Sequence, residues 1–328
     1  MTKIEWTHRP GTTGESWNMI GGCTKVQPEC ANCYALRDSW RIMHNPKHPS
    51  RYNGVAGMMD GELRWTGRIN LDWDALEKPR HWAKPRTVFV ASMADVLHRD
   101  VPDEFVDAVF DTIEDTPQHT YLMLTKRSER MLQYWQQRQK ESADPSTGLD
   151  AWQWPRNCWA GVSAGTRRTL AHHLTNLAQL QGPPVKFVSA EPLLERLNIE
   201  QELQRCPLCG ETPNAVDGEA RWRRSWDWWE HHHGYPIGYV ATDPAFNWLL
   251  IGGETGKRAR EMQPGWARDL LRDCRALGVP AFVKQLGQVW AQFGTSGGGF
   301  VGTSGYASVK GADPHYWPED LQVREWPR

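Results

Sequence analysis

Residues 17–35 read WNMIGGCTKVQPECANCYA. The run Ser16–Ile20 is short and mostly apolar, as a buried strand is. Gly21 and Gly22 let the backbone approach closely, and Pro28 restricts the loop that follows. Cys23, Cys30 and Cys33 fall within eleven residues of one another. From Cys33 onward, ALRDSWRIM carries apolar residues at helical spacing. Strand, cysteine loop and helix make the first unit of a parallel α/β sheet. The loop sits at the carboxyl end of its strand.

The same rhythm continues along the chain. Thr87–Ala91, Thr120–Leu124, Cys158–Val162, Val185–Ser189, Trp248–Ile251 and Ala281–Val283 read as buried strands. Asp103–Glu114, Ser128–Gln139, Thr166–Leu180 and Pro264–Leu277 read as amphipathic helices between them. About seven such units predict an α/β fold, a full or partial parallel (β/α) barrel. Residues 1–204 then carry the first part of the barrel with the cysteine loop. Residues 205–245 form a Cys/Trp/His-rich insertion between the fifth and sixth strands, 246–290 the last part of the barrel, and 291–328 a Gly-rich tail. Residues 45–84 also interrupt the rhythm, with a short hairpin expected at Asp60–Gly61.

An odd count of seven cysteines, with no secretory leader in view, points to metal or catalysis rather than disulfides. Three thiolates on one loop can ligate three irons of a cubane 4Fe–4S cluster and leave the fourth iron open. A helix starting at Cys33 adds a favourable dipole for an anionic group. A zinc ion with a distant fourth ligand is the alternative. Cys206 and Cys209, in RCPLCGE, form a zinc-knuckle half-site. Its remaining ligands would have to come from His231, His232 and His233, and an eroded site or a simple turn are the alternatives. Cys158 and Cys274 read as small buried residues.

Polar residues follow nearly every expected strand: Ser92 and Asp95, then Thr125, Lys126 and Arg127, Ser163, Ser189 and Glu191, Gly252, Gly253 and Glu254, and Lys284 and Gln285. In a parallel barrel that end of the sheet is the catalytic face. Any one of these residues alone could be a helix cap. A ring of them is better explained as a site.

The charges nearly cancel, 38 Lys+Arg against 39 Asp+Glu, which excludes bulk coating of nucleic acid. No run approaches about 18 apolar residues, so no membrane span is expected. The opening MTKIEWTHRPGTTGES lacks an apolar signal core, which leads to an expected cytoplasmic location. Tryptophan occurs 19 times. Trp222, Trp226, Trp228 and Trp229 alternate with Arg221, Arg223 and Arg224, a pattern suited either to stacking on DNA or RNA bases or to the core of a small insertion. Trp6, Trp17, Trp40, Trp65, Trp73 and Trp82 read mostly as packing anchors.

The opening stretch WNMIGGCTKVQPECANCYA resembles the signature of a phage-encoded, radical-SAM-like family with a three-cysteine motif. The similarity continues through KPRTVFVASMADVLHRDVPDEFVDAVFD, PQHTYLMLTKRSERM, GVSAGT, FVSAEPLL, NWLLIGGETG, VPAFVKQLG and PEDLQVREWP. The resemblance implies a radical-SAM type of barrel, with a 4Fe–4S cluster on Cys23, Cys30 and Cys33, S-adenosylmethionine as cofactor and an electron donor as partner. The usual spacing is C-x3-C-x2-C, whereas this chain has C-x6-C-x2-C, and Asn32 replaces the usual aromatic, with Tyr34 one step beyond the last cysteine. The candidate cofactor-binding residues are Tyr34, Ser92, Asp95, Ser163, Glu191, Gly252, Gly253 and Glu254; the candidate catalytic residues are Lys126, Glu191 and Lys284. Glu191 or Glu254 suits the cofactor's amino group or ribose hydroxyls, and Lys126 or Arg127 its carboxylate or a substrate phosphate. The expected activity is radical modification of a nucleic-acid base or nucleotide. The alternatives are a zinc- or cluster-stabilised nucleic-acid-binding protein and an iron–sulfur enzyme without S-adenosylmethionine.

Overall fold

The computed structural model describes residues 2–142, 151–199, 245–293 and 311–327. Cys206, Cys209, His231–His233, the Arg/Trp-rich stretch 221–229 and residues 294–310 of the Gly-rich tail lie outside the described residues.

The chain enters the sheet through β1 (Thr13–Trp17) and then makes two small excursions. β2 (Ile20–Gly21) pairs antiparallel with β5 (Asn70–Leu71), and β3 (Ala56–Met59) pairs antiparallel with β4 (Glu62–Trp65). The latter is the expected hairpin: Asp60 and Gly61, at φ 52° and 74°, form its two-residue left-handed turn. β6 (Arg86–Val90), β7 (Thr120–Thr125), β8 (Cys158–Ser163), β9 (Lys186–Ala190), β10 (Trp248–Gly252) and β11 (Ala281–Gln285) complete the main sheet. Its seven strands run in the order β1-β6-β7-β8-β9-β10-β11, all parallel, and curl into a half-barrel. Six of the strands agree with the sequence reading to within one or two residues. The first begins at Thr13 rather than Ser16, because the chain leaves the sheet at Asn18. The Asn18 Oδ1 accepts from Ser92 Oγ (3.1 Å) and Met93 N (3.2 Å), so this residue ties the departing chain to the end of β6.

Helices alternate with the strands. They are α1 (Tyr34–Met43), α2 (Asp103–Glu114), α3 (Ser128–Ser142), α4 (Arg167–Gln179), α5 (Pro264–Leu277) and the short α6 (Gln288–Phe293). The expected apolar face of α2, with Phe105, Val106, Val109, Phe110 and Ile113, is buried. Thr166 caps α4 in a reciprocal box with Thr169, and Gly278 ends α5 at φ 67°.

The period of two along each strand sends alternate side chains to opposite faces. Val88, Tyr121, Met123, Ala160, Val188 and Ile251 pack with the helices into the main core. Phe89, Leu122, Trp159, Phe187, Leu250 and Phe282 share a second core with Trp6 and Trp248. Trp6, from the 3₁₀ turn Glu5–Thr7, packs at a tilt with its ring centroid 4.8 Å from that of Phe89 and 6.0 Å from those of Phe187 and Trp248. Trp326 donates to the Trp6 carbonyl at 3.1 Å. Both chain ends therefore fill the open side of the half-barrel. The C-terminal segment also pairs with β11, through Val283 N to Val323 O (2.8 Å) and Glu325 N to Ala281 O (2.9 Å). Trp17 is fully buried as expected, whereas Trp73 is 47% exposed. Among the described residues no helix is long and apolar enough to cross a membrane.

Candidate functional site

The cysteine loop leaves β2 at a close backbone approach. Gly22 sits at φ 94°, and a Cβ there would meet the Arg68 carbonyl oxygen at 2.0 Å. Cys30 closes the 3₁₀ turn Pro28–Cys30, and Cys33 occupies the N-cap of α1. All three thiols are free and partly exposed.

The residues between Cys23 and Cys30 form a strap anchored across the carboxyl ends of β6, β7 and β8. His98 Nδ1 accepts from Asp100 N (3.2 Å), so its Nε2 carries the proton and donates to Thr24 Oγ1 at 2.8 Å. Arg127, after β7, donates to the Thr24 carbonyl (3.0 Å) and hydroxyl (3.1 Å) and reaches within 3.8 Å of Cys23 Sγ. Gln27 donates to Ser163 O (2.8 Å) at the end of β8 and accepts from His173 Nε2 (2.9 Å) on α4. Glu29, buried, accepts from Gly165 N and from Thr169 Oγ1 (2.6 Å). The lengthened spacing of the cysteines thus supplies side chains that fix the loop.

One cavity lies beneath this strap. Cys23, Cys30, Cys33 and Tyr34 line one side, and Ser92, Asp95, Lys126, Ser163, Glu191, Gly253, Glu254 and Lys284 line the strand-end side. Trp6, Phe89 and Leu124 form its apolar floor. Of the strand-end residues singled out in the sequence, Gly252 alone is not part of the lining. A Cβ on it would meet the Glu191 side chain at 3.1 Å, so it makes room for that carboxylate.

The lining residues divide by how far the protein already uses them. Asp95 accepts from Thr125 Oγ1 (2.9 and 3.0 Å), Leu97 N (3.0 Å), Lys126 N (3.3 Å) and Arg127 (2.7 Å). Glu254 accepts two guanidinium bonds from Arg260 (2.6 and 2.9 Å), the Arg260 N–H (2.7 Å) and the Asn32 amide (2.9 Å). Burial alone would raise the Glu254 pKa, but Arg260 and Asn32 outweigh it and hold the carboxyl below the usual range. Asn32 therefore joins the cysteine loop to the end of β10. Tyr34 donates to the Ser92 carbonyl, and Ser163 Oγ to the Glu191 carbonyl at 3.2 Å.

Glu191 and Lys126 are less committed. Glu191 Oε1 accepts from Lys284 Nζ (2.7 Å) and Gln285 Nε2 (3.0 Å), while Oε2 makes no hydrogen bond among the described residues. Lys126 makes no ion pair among the described residues and lowers the Cys33 pKa through its charge. Burial nonetheless pushes the Cys33 thiol up, against the Leu36 and Ala35 backbone N–H groups and Lys126. Burial pushes Cys23 up to about 11, opposed by Arg127. Each of these thiols also feels a neighbouring one, Cys33 acting on Cys23 and Cys30 on Cys33. Among the described residues no group of three or more Cys, His, Asp and Glu side chains is placed to hold a metal ion. Cys158 and Cys274 are buried, as expected.

Asn18, Thr24, Gln27, Glu29, His98, His173 and Arg260 were not anticipated. Gln27 and Glu29 had a signal, since residues added between two ligands need anchors. His98, His173 and Arg260 had none, because each acts through a contact distant in sequence or across an irregular loop.

A family model described as "Protein of unknown function (DUF5131)" matches residues 1–310. Searches of curated proteins and of solved structures each found no match.

Proposed function

The chain belongs to the DUF5131 family, a family of unknown function, and on that premise we propose that it is a radical S-adenosylmethionine enzyme acting on a nucleic-acid base or nucleotide. The observation that carries the reading is the trio Cys23, Cys30 and Cys33 on an anchored strap, facing a cavity at the carboxyl ends of a parallel half-barrel. Three free thiols on one loop, all lining the cavity, can ligate three irons of a polynuclear group. The donor set therefore fits a 4Fe–4S cluster with one iron left to a cofactor. When bound, that pair would supply a 5′-deoxyadenosyl radical after one-electron reduction.

The protein's own residues would do the rest. Cys23, Cys30 and Cys33 hold the metal group. Glu191, with Oε2 open, accepts from the cofactor's amino group or ribose hydroxyls, and Lys284 and Gln285 fix its carboxylate. Lys126 takes the cofactor's carboxylate or a substrate phosphate. Asp95 and Glu254 act as positioning residues, since protein donors already occupy their oxygens. Trp6, Phe89 and Leu124 close the floor and exclude water. The nucleic-acid part of the proposal rests on the two cavity lysines and on the Arg/Trp-rich stretch 221–229.

Anaerobic loading with iron and sulfide tests this reading. It is expected to give about four irons per chain, with an EPR signal in the reduced protein that changes when S-adenosylmethionine is added. Uptake of zinc alone, or a signal indifferent to the cofactor, overturns it.

A further inference from the structure

Among the described residues one side chain donates to the cysteine trio: Arg127, whose Nη2 lies 3.8 Å from Cys23 Sγ. It reaches Cys23 from the end of β7, and its position is fixed at both ends. Its backbone N–H donates to Thr125 Oγ1 (2.9 Å) and its Nη1 to Asp95 Oδ2 (2.7 Å). Asp95 is fixed in turn by Thr125 Oγ1 (2.9 and 3.0 Å) and Leu97 N (3.0 Å). The same Nη2 donates to the Thr24 carbonyl (3.0 Å) and hydroxyl (3.1 Å), which keeps it on the cysteine side of the strap. The Arg127 and Asp95 side chains are nearly buried, so water screens the guanidinium little. A planar fork can bond a carboxylate through one arm and face a sulfur with the other, which a lysine cannot do.

We infer that Arg127 is a positioning residue for the metal group on Cys23, Cys30 and Cys33, and that its contact with the Cys23 sulfur raises the reduction potential of that group. The inference rests on the radical-enzyme reading above. Reduction adds one electron, supplied by an external one-electron donor, and no bond is made or broken. The added charge is shared by the ligating sulfurs, so a fixed N–H and a positive charge beside one of them favour the reduced form. Asp95 carries the opposite charge and offsets part of that field. The directed N–H contact is what the pair adds, and the bonds to Asp95 and Thr24 aim it.

The test is the midpoint potential of the full chain loaded anaerobically with iron and sulfide, followed by EPR with dithionite as reductant. Three variants are compared with the native chain: Arg127→Met; Arg127→Met with Asp95→Asn; and Thr24→Val. At a set potential the ratio of reduced to oxidised protein is expected to be at least about tenfold lower in Arg127→Met, a midpoint lower by about 59 mV for one electron. The double variant no longer holds an unpaired carboxylate and should shift less, in the same direction. If Arg127→Met alone does not fold, the double variant carries the measurement. Thr24→Val removes the strap's hydroxyl bonds to His98 and Arg127 but leaves the guanidinium beside the sulfur, so its midpoint should match the native one. Arg127 variants whose ratio stays within about twofold of native overturn the inference. So does a shift in Thr24→Val as large as that in Arg127→Met, which would show that Arg127 acts only by holding the strap. Either result leaves the radical-enzyme reading standing, whereas a native chain that takes up no iron overturns that reading itself.

Discussion

Asp95 and Arg127 form a buried pair, 7% and 11% exposed, at the point where the end of β7 meets the cysteine strap. Their 2.7 Å contact fixes the guanidinium that in turn holds Thr24. Truncating one partner leaves a buried charge uncompensated, which costs about 3–5 kcal/mol. Arg127→Met is therefore expected to lose stability of that order in denaturant titration, and adding Asp95→Asn should recover part of it. A variant within about 0.5 kcal/mol of the native chain would show that the pair is exposed to water in solution. Asp95 was visible in the sequence as a polar residue after a strand, but its partners were not. Only the fold tells an acid that faces a cofactor from one that is already saturated.

The strap is the element on which the site depends, and two neutral histidines secure it. Burial, reinforced by Arg127, lowers the His98 pKa to about 4; burial, reinforced by His172 and Lys126, lowers that of His173 to about 3. Unfolded histidine takes up its proton near pH 6.5, before either folded group does. Their stabilisation is thus complete above pH 6.5 and is lost as pH falls toward 4 and then 3. Glu254, held below 4.5, adds to the loss only at lower pH. Thermal unfolding followed from pH 7 down to 5 should show a falling Tm, and a shallower fall in His173→Gln. Equal slopes would remove His173 from the explanation. The helix and strand boundaries around the strap were legible because apolar periodicity reports them directly. The strap's role was not, because C-x6-C-x2-C reads as slack until Gln27 and Glu29 are seen to reach α4 and the end of β8.

At the scale of the whole molecule, a half-barrel leaves one side without strands, and the tryptophans answer for it. Trp6 and Trp326, from the two chain ends, pack with Trp159 of β8 and Trp248 of β10 on the concave face. Emptying such a site costs about 3–5 kcal/mol, so Trp6→Ala is expected to lose that much stability by circular dichroism in urea; a loss under about 1 kcal/mol would mean the ends are not part of the core. The alternating strands and helices announced a parallel barrel, full or partial, but the half-barrel was not singled out, since closure is set by contacts among distant strands. The role proposed for Cys23, Cys30 and Cys33 is radical chemistry in the cavity they face. Its most direct test is to load the chain anaerobically with iron and sulfide, reduce it with dithionite, add S-adenosylmethionine and measure 5′-deoxyadenosine. Release by the native chain and none by the Cys23→Ala, Cys30→Ala, Cys33→Ala variant is the expected result. No release from a native chain with its full complement of iron, or equal release from the variant, would contradict it.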